Sequence, residues 1–392
     1  MTLTRRHLLQ TAAALSAAPF ARLAVAAPGA SPRRFVFFIL RGGLDGQTAV
    51  PAIGDPAFAE ARGPLGQFSA DPLKLDTTFA LNPLLPQLHT MYGRGELAVL
   101  QAVGLPYRER SHFDAQQVLE SGGTRPHELA TGWLGRALPA ASGKGGLRAV
   151  ALETAVPLVL RGPVEVDTWA PSALPEPSAE LVARLEAMYT NDTALAQALA
   201  RARGLRDEPG MAANLERSGG GRGAAIALAR KAAEFLQRGS QVAVLEMGGW
   251  DSHTNQAAPN GATSNNLRTL DAALAALREG LLPNDAWKQT VVLVATEFGR
   301  QVAVNGTGGT DHGSGGAAFL LGGAVRGGRV LADWPGLAPK DRYEGRDLRI
   351  TTELRAVMRG VLADHLQVAR ATLDREVFPG TAGLKSPELL RA

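Results

Sequence analysis

The chain predicts an α/β protein: a doubly wound, mostly parallel central sheet with helices on both faces, plus a helical insertion. Three observations carry that expectation. Continuous apolar runs of strand length recur along the chain, helical periodicities separate them, and acidic or histidine residues stand just past several of the runs. A run that is apolar at every position suits a parallel strand covered on both faces. A sheet of that kind also gathers the carboxyl ends of its strands on one edge, where ligands bind.

The first run, Phe35-Val36-Phe37-Phe38-Ile39-Leu40, is followed by glycines and reads as a central strand. A helical pattern from Leu84 to Tyr92 leads to a second run, Leu97 to Val103. Residues 170–223 differ in character: proline-rich from Ala170 to Pro177, helical from Leu181 to Ala202, and glycine-rich from Ser218 to Gly223. They predict a helical insertion packed on the core, with a flexible join near 218–223. The glycine run lacks the preceding strand and following acid of a dinucleotide loop and reads as a plain loop. Helical spacing from Ile226 to Leu236 leads to the run Gln241–Leu245, and Leu267 to Leu277 leads to Thr290–Thr296. Ala317 to Leu321 is a fifth strand candidate. The alternation argues for parallel strands joined by right-handed crossovers.

The N-terminus predicts a targeting segment. Arg5 and Arg6 form a twin-arginine pattern, a mildly apolar run spans Leu8 to Phe20, and Ala24-Val25-Ala26 offers a cleavage site. The run is too short and alanine-rich for a membrane span, so no stable membrane anchor is expected. Residues 1–26 are therefore expected to be a signal peptide, with the twin-arginine translocase as partner during export and the periplasm or medium as destination. Residues 27–392 would form the α/β domain. Cleavage would remove three arginines and no acidic residue, lowering the formal net charge from +4 to +1. No long Lys/Arg run remains, so nucleic acid is not an expected partner. With no cysteine in the chain, disulfides, thiol catalysis and cysteine metal sites are excluded.

Four segments concentrate the chemistry. Asp45 follows the first strand across Arg41-Gly42-Gly43-Leu44 and offers a carboxylate at the sheet edge, although Asp45-Gly46 also reads as a turn dipeptide. Ser111 stands where a helix starts, before His112 and Asp114. It reads equally as a capping serine or as a nucleophile toward a phosphoryl or sulfuryl centre. Asp251 and His253 lie two apart in a loop after the third main strand, and Asp311 and His312 are adjacent between glycines. Carboxylate and imidazole together suit Mg²⁺, Mn²⁺, Ca²⁺ or Zn²⁺. Glu297 and Arg300 follow the fourth strand, where Arg300 would clamp an oxyanion or pair with a carboxylate. Glu246 is expected to be salt-bridged or to stand behind the ligands. His89, His127 and His365 read as ordinary surface or core histidines.

Together with Gly132-Trp133-Leu134-Gly135-Arg136, Gly322 to Gly328 and Asp333-Trp334-Pro335-Gly336, these segments resemble the domain of unknown function 1501 (DUF1501) family. That family sits within the wider alkaline phosphatase and sulfatase superfamily, and the resemblance runs from Phe35 to about Gly380. It implies an alkaline phosphatase-like fold and a hydrolase of small anionic esters, phosphate or sulfate. It implies Ser111 as the nucleophile; His112 and Arg300 are further catalytic candidates, with Arg110 as another anion holder. Asp45, Asp251, His253, Asp311 and His312 are the implied ligands of one or two divalent ions. Many relatives carry a histidine where this chain has Ser314, which leaves the number of ions open. A non-catalytic exported binding or assembly protein on the same fold is the alternative.

Overall fold

The computed structural model describes residues 32–141, 147–171, 178–204 and 222–391. The strands of the central sheet, in chain order, are β1 (Arg34–Leu40), β2 (Leu97–Gly104), β3 (Ala149–Ala151), β4 (Val166–Thr168) and β5 (Val242–Met247). They continue with β6 (Thr290–Thr296), β7 (Gly316–Leu321), β8 (Arg329–Leu331) and β9 (Thr352–Glu353). Their spatial order is β8-β2-β7-β6-β1-β5-β3-β4, with β9 also paired to β2. Every pairing is parallel except those of β7, which runs antiparallel to both β2 and β6. The reason lies in the connection. No helix separates β6 from β7, and a strand that returns through a loop alone runs back beside its predecessor.

The expected burial of β1 on both faces is observed. All seven of its residues are buried. Val36, Phe38 and Leu40 point into one hydrophobic layer; Phe35, Phe37 and Ile39 point into the other. The first layer is completed by α3 (Pro86–Gly93), α8 (Arg222–Gln237) and α9 (Ala262–Leu281), through Leu88, Phe235, Leu236, Leu267, Leu270 and Leu274. The second contains α4 (His112–Ser121), α5 (Trp133–Ala137) and α10 (Leu354–Asp364). There Trp133 meets the edges of Phe35 and Phe37, at centroid distances of 6.1 and 5.3 Å. Its indole N–H donates to the Leu119 carbonyl at 3.1 Å, so the ring is buried without an orphaned donor. Among the described residues, no helix is long and apolar enough to cross a membrane.

Two features depart from the sequence expectation. Strands β3 and β4 have three residues each, too few to register as apolar runs. The stretch expected to be helical from Leu181 to Ala202 is built as two helices, α6 (Ala179–Tyr189) and α7 (Thr193–Gly204). Ser178 caps the first by accepting from Leu181 N at 3.2 Å. Helix α6 buries no residue, so this helix is not packed on the core as expected. The signal segment and most of the glycine-rich join near 218–223 lie outside the described residues.

His365 closes the second layer at the end of α10. It is 3% exposed and its Nε2–H donates to the Arg34 carbonyl at 2.8 Å. Burial, reinforced by the charge of Arg33, pushes its pKa from 6.5 down to about 4. An unfolded chain thus binds a proton at this ring that the folded chain refuses. The associated stability is present above pH 6.5 and is lost as pH falls toward 4, by about 3 kcal/mol in total. Urea titrations at pH 7 and pH 4 should show His365→Gln losing less stability on acidification than the unmodified protein. Equal losses would remove His365 from the acid response.

Candidate metal centre

The carboxyl ends of β1, β2, β5 and β6 open on one edge of the sheet, and each is followed by a segment that reaches the same point. Backbone approach there is close. Gly42 has φ +118°, and a Cβ on it would stand 2.5 Å from the Asp251 amide nitrogen. A Cβ on Gly309 would stand 2.2 Å from the His253 carbonyl carbon. Glycine at these two positions lets the first turn and the 305–313 loop lie directly against the loop carrying Asp251 and His253. Hydrogen bonds fix the register: Thr310 N donates to Ser252 O at 3.1 Å, and Gln301 N to Asp311 O at 2.9 Å.

Three imidazoles and one carboxylate converge. His312 Nε2 lies 3.0 Å from His112 Nε2 and 3.1 Å from His253 Nε2. Asp251 Oδ1 is 2.9 Å from His253 Nε2 and 3.1 Å from His312 Nε2, while its Oδ2 is 3.4 Å from His112 Nε2. The far side of each ring is also engaged. His112 Nδ1 meets Glu297 Oε1 at 2.8 Å, His253 Nδ1 meets Asp311 Oδ1 at 3.2 Å, and His312 Nδ1 meets the Arg110 carbonyl at 2.9 Å.

Those far-side partners determine the tautomers. Two ionised carboxylates and a carbonyl only accept, so each Nδ1 donates, and a neutral ring donating there carries its lone pair on Nε2. Three lone pairs then face one another and an anionic carboxylate at hydrogen-bond distance. A single proton relieves one such contact; a divalent cation relieves them all. Ligand nitrogens around a tetrahedral ion, with bonds of about 2.0–2.1 Å, lie roughly 3.4 Å apart, close to the spacings here. Carboxylate–histidine pairing behind the ligand nitrogen is also the usual arrangement around a bound metal. Within the described residues, the ligand atoms of His112, Asp251 and His312 all lie within 4.8 Å of one another, a group able to hold a metal ion. His253 joins it through His312 and Asp251.

The electrostatics agree. The Glu297 carboxylate is 1% exposed. Burial alone would raise its pKa, but bonds from His112, the Gly42 amide and Gln116 hold it below the ordinary value. Burial opposes ionisation of Asp251 too, yet Arg300, His253 and His112 keep it charged. The bond to Glu297 raises the pKa of His112. Burial lowers that of His312, aided by the charges of His112 and Arg300.

Asp251, His253, Asp311 and His312, expected as ligands, are brought together here. His112, expected to be catalytic, stands among the potential ligands instead. Asp45 does not reach the cluster. It is buried as the N-cap of α1 (Gly46–Ala49), accepting from the Gln47 and Thr48 amides. Its carboxylate also pairs with Arg62, the last residue of α2 (Phe58–Arg62), and accepts from Gln256. Those bonds occupy the carboxylate, which corrects its expected ligand role. Arg300 is likewise no free oxyanion clamp. It is 3% exposed and pairs with Asp251 at 2.6 Å, while its other nitrogens donate to the Thr310 hydroxyl and carbonyl. It orients Asp251. Arg110 is held by Asp347 at 2.8 Å and Glu344 at 2.6 Å. Glu246 is salt-bridged to Arg41. Ser111 occupies the N-cap position of α4, but its side chain makes no capping hydrogen bond.

Sequence reasoning missed Asn305, whose amide donates to Asp311 Oδ1 at 3.0 Å and to the His253 carbonyl at 2.9 Å. Nothing local marks an asparagine in a Gly/Thr loop as such a brace. Glu297 carried a usable signal, an acid directly after a buried strand, but its partner His112 lies 185 positions away.

Among solved structures, the chain is similar to Ps i-CgsB in complex with k-i-k-neocarrahexaose, at 10% identity and TM-score 0.44, covering 86% of this chain and 72% of that one. It is also similar to the C-terminal periplasmic domain of EcEptC from Escherichia coli, solved in complex with Zn, at 10% identity and TM-score 0.42, covering 91% and 88%. A third is the phosphonate monoester hydrolase of Agrobacterium radiobacter, at 12% identity and TM-score 0.38, covering 86% and 74%. These likenesses are distant and assign no residue of this chain a role. No curated protein matches the chain by sequence. Residues 92–376 match the family described as "Protein of unknown function (DUF1501)", which spans the ligand cluster from His112 to His312. The chain therefore belongs to the DUF1501 family.

Proposed function

We propose that this chain is an exported, metal-dependent hydrolase of phosphate or sulfate esters. The observation that carries the reading is the convergence of three Nε2 lone pairs on the Asp251 carboxylate, each ring held from behind by an acceptor. A divalent cation there would supply Lewis-acid chemistry and neutralise charge on the transferring group. His112, His312 and Asp251 would hold it, with His253 completing the site. Glu297, Asp311 and the Arg110 carbonyl keep the rings in the ligating tautomer, and Arg300 keeps Asp251 aimed.

Ser111 is the nucleophile in this reading. Its hydroxyl is not spent on capping and stands at the amino end of a ten-residue helix, where anions are favoured. Attack forms a bond from its oxygen to phosphorus or sulfur as the hydroxyl gives up its proton to solvent, and the ester's alcohol oxygen leaves with the bonding pair and takes up a proton from solvent. Water then releases the group and restores the serine.

The test is elemental analysis of mature protein purified without chelator, followed by a screen of phosphate monoesters, diesters and sulfate esters. One or two equivalents of metal per chain and turnover of one class are expected. No bound metal, and no turnover on adding Mg²⁺, Mn²⁺, Ca²⁺ or Zn²⁺, would transfer the weight to an exported binding or assembly protein.

The export pathway has its own test. Replacing Arg5 and Arg6 together with lysine should leave uncleaved precursor in the cytoplasm. Undiminished export of that double variant would exclude the twin-arginine route.

A further inference from the structure

Among the described residues, five arginines border the centre or the loops next to it, and four of these are committed. Arg41 pairs with Glu246 and Glu120, Arg110 with Asp347 and Glu344, and Arg300 with Asp251. Arg346 donates to the His312 carbonyl at 2.8 Å and pairs with Asp347 at 3.3 Å. Arg108 alone makes no hydrogen bond or ion pair to a described residue. Its Nη1 is buried without a partner. What it does have is a platform: its guanidinium carbon stands 5.5 Å from the centre of the Tyr343 ring.

A half-buried guanidinium without a bonded counter-ion is costly, because its lost hydration is not replaced. Burial lowers the pKa of Arg108, and Tyr343, Glu353 and Asp347 offset this only through space. An aromatic face attracts a guanidinium without using its N–H groups, which stay available to carboxylate, phosphate or sulfate oxygens. Location adds to this. Arg108 lies in the segment between β2 and α4, four residues before His112. The same segment supplies the Arg110 carbonyl that fixes His312.

We propose that Arg108, placed over the Tyr343 ring, is the binding residue for an anionic oxygen of the substrate, and that this chain accordingly selects oxyanion esters through a guanidinium the metal cluster does not use. The oxyanion is either that of the scissile group or a second anionic group on the alcohol. The proposal deepens the hydrolase reading, but its test requires no turnover.

Metal-supplemented mature protein would be titrated calorimetrically with inorganic phosphate, inorganic sulfate and a small alkyl bisphosphate. The unmodified protein, Arg108→Gln and Arg108→Lys would be compared, with thermal melting to confirm that each variant folds. Loss of a charge-assisted contact should weaken the best-binding anion roughly 10- to 100-fold in Arg108→Gln, with partial recovery in Arg108→Lys. Equal weakening for phosphate and bisphosphate assigns Arg108 to the scissile group. Weakening confined to the bisphosphate assigns it to a second group. Tyr343→Leu, which removes the platform and leaves the charge, should weaken binding by a smaller factor. Unchanged affinity in folded Arg108→Gln, or no binding of any of the three anions by the unmodified protein, overturns the proposal. Arg108-dependent binding without hydrolysis of any ester would uphold the site while sinking the hydrolase reading.

Discussion

In the hydrolase reading, replacing Asp251 with alanine is expected to leave the centre unable to hold a divalent ion and to reduce turnover by at least about 10³-fold. The expected size exceeds the 10- to 100-fold typical when a group behind a ligand is removed. Among the described residues, Asp251 is the one side chain whose oxygens meet all three imidazoles and Arg300. Without it the site keeps three neutral nitrogens and loses the charge that favours a divalent ion. Asp251→Ala also leaves the buried Arg300 without its ion pair, which adds a structural loss. Asp251→Asn separates the effects, since it keeps an oxygen to accept from Arg300 and removes only the negative charge. Elemental analysis and metal titration should show both variants depleted, with Asp251→Asn melting close to the unmodified protein. A fully metallated Asp251→Ala protein would place the ion elsewhere. As the milder comparison, Glu297→Gln should lower metal affinity about 10- to 100-fold, because a weaker acceptor behind His112 leaves that ring a poorer ligand.

Legibility in the sequence followed locality. Strands β1 and β6 were visible because complete burial on both faces leaves an unbroken apolar run. The three-residue strands β3 and β4 leave no such trace, and the direction of β7 depends on a connection rather than a pattern. The same division runs through the site. The segments 251–253 and 311–312 stood out because an acid beside a histidine among glycines has little reason to exist in a plain loop. For Asp45 and Arg300 the sequence leaves two roles open, because what decides between them is a distant partner. Arg62 occupies the first carboxylate, and Asp251, 49 positions earlier, occupies the second group. His112 was seen at a helix start, yet only the fold shows that its Nε2 meets His312 across 200 positions.

Replacing Ser111 with alanine is expected to abolish turnover while leaving stability and metal content unchanged. Removal of an essential nucleophile typically costs several orders of magnitude in rate, about 10³-fold or more. The structural side of the prediction is the sharper one. A serine at an N-cap normally accepts from the first turn, and its loss costs about 1 kcal/mol. Here the helix start is built without that bond: Ser111 has extended backbone, φ −88° and ψ 124°, and its side chain caps no amide of α4. Its carbonyl still accepts from Ala115 N at 2.9 Å, which alanine preserves. A capping serine and a nucleophilic serine therefore give opposite results in the same variant. If Ser111→Ala loses about 1 kcal/mol in denaturant and keeps its turnover, the hydroxyl serves the helix, and the attacking oxygen must come from water or another residue. If it melts like the unmodified protein, binds the same number of ions and turns over no ester, the hydroxyl is present for the chemistry. Ser111→Thr refines the second outcome. It retains a hydroxyl but adds a methyl group beside His112, so residual activity above that of alanine would place the oxygen itself at the reacting centre.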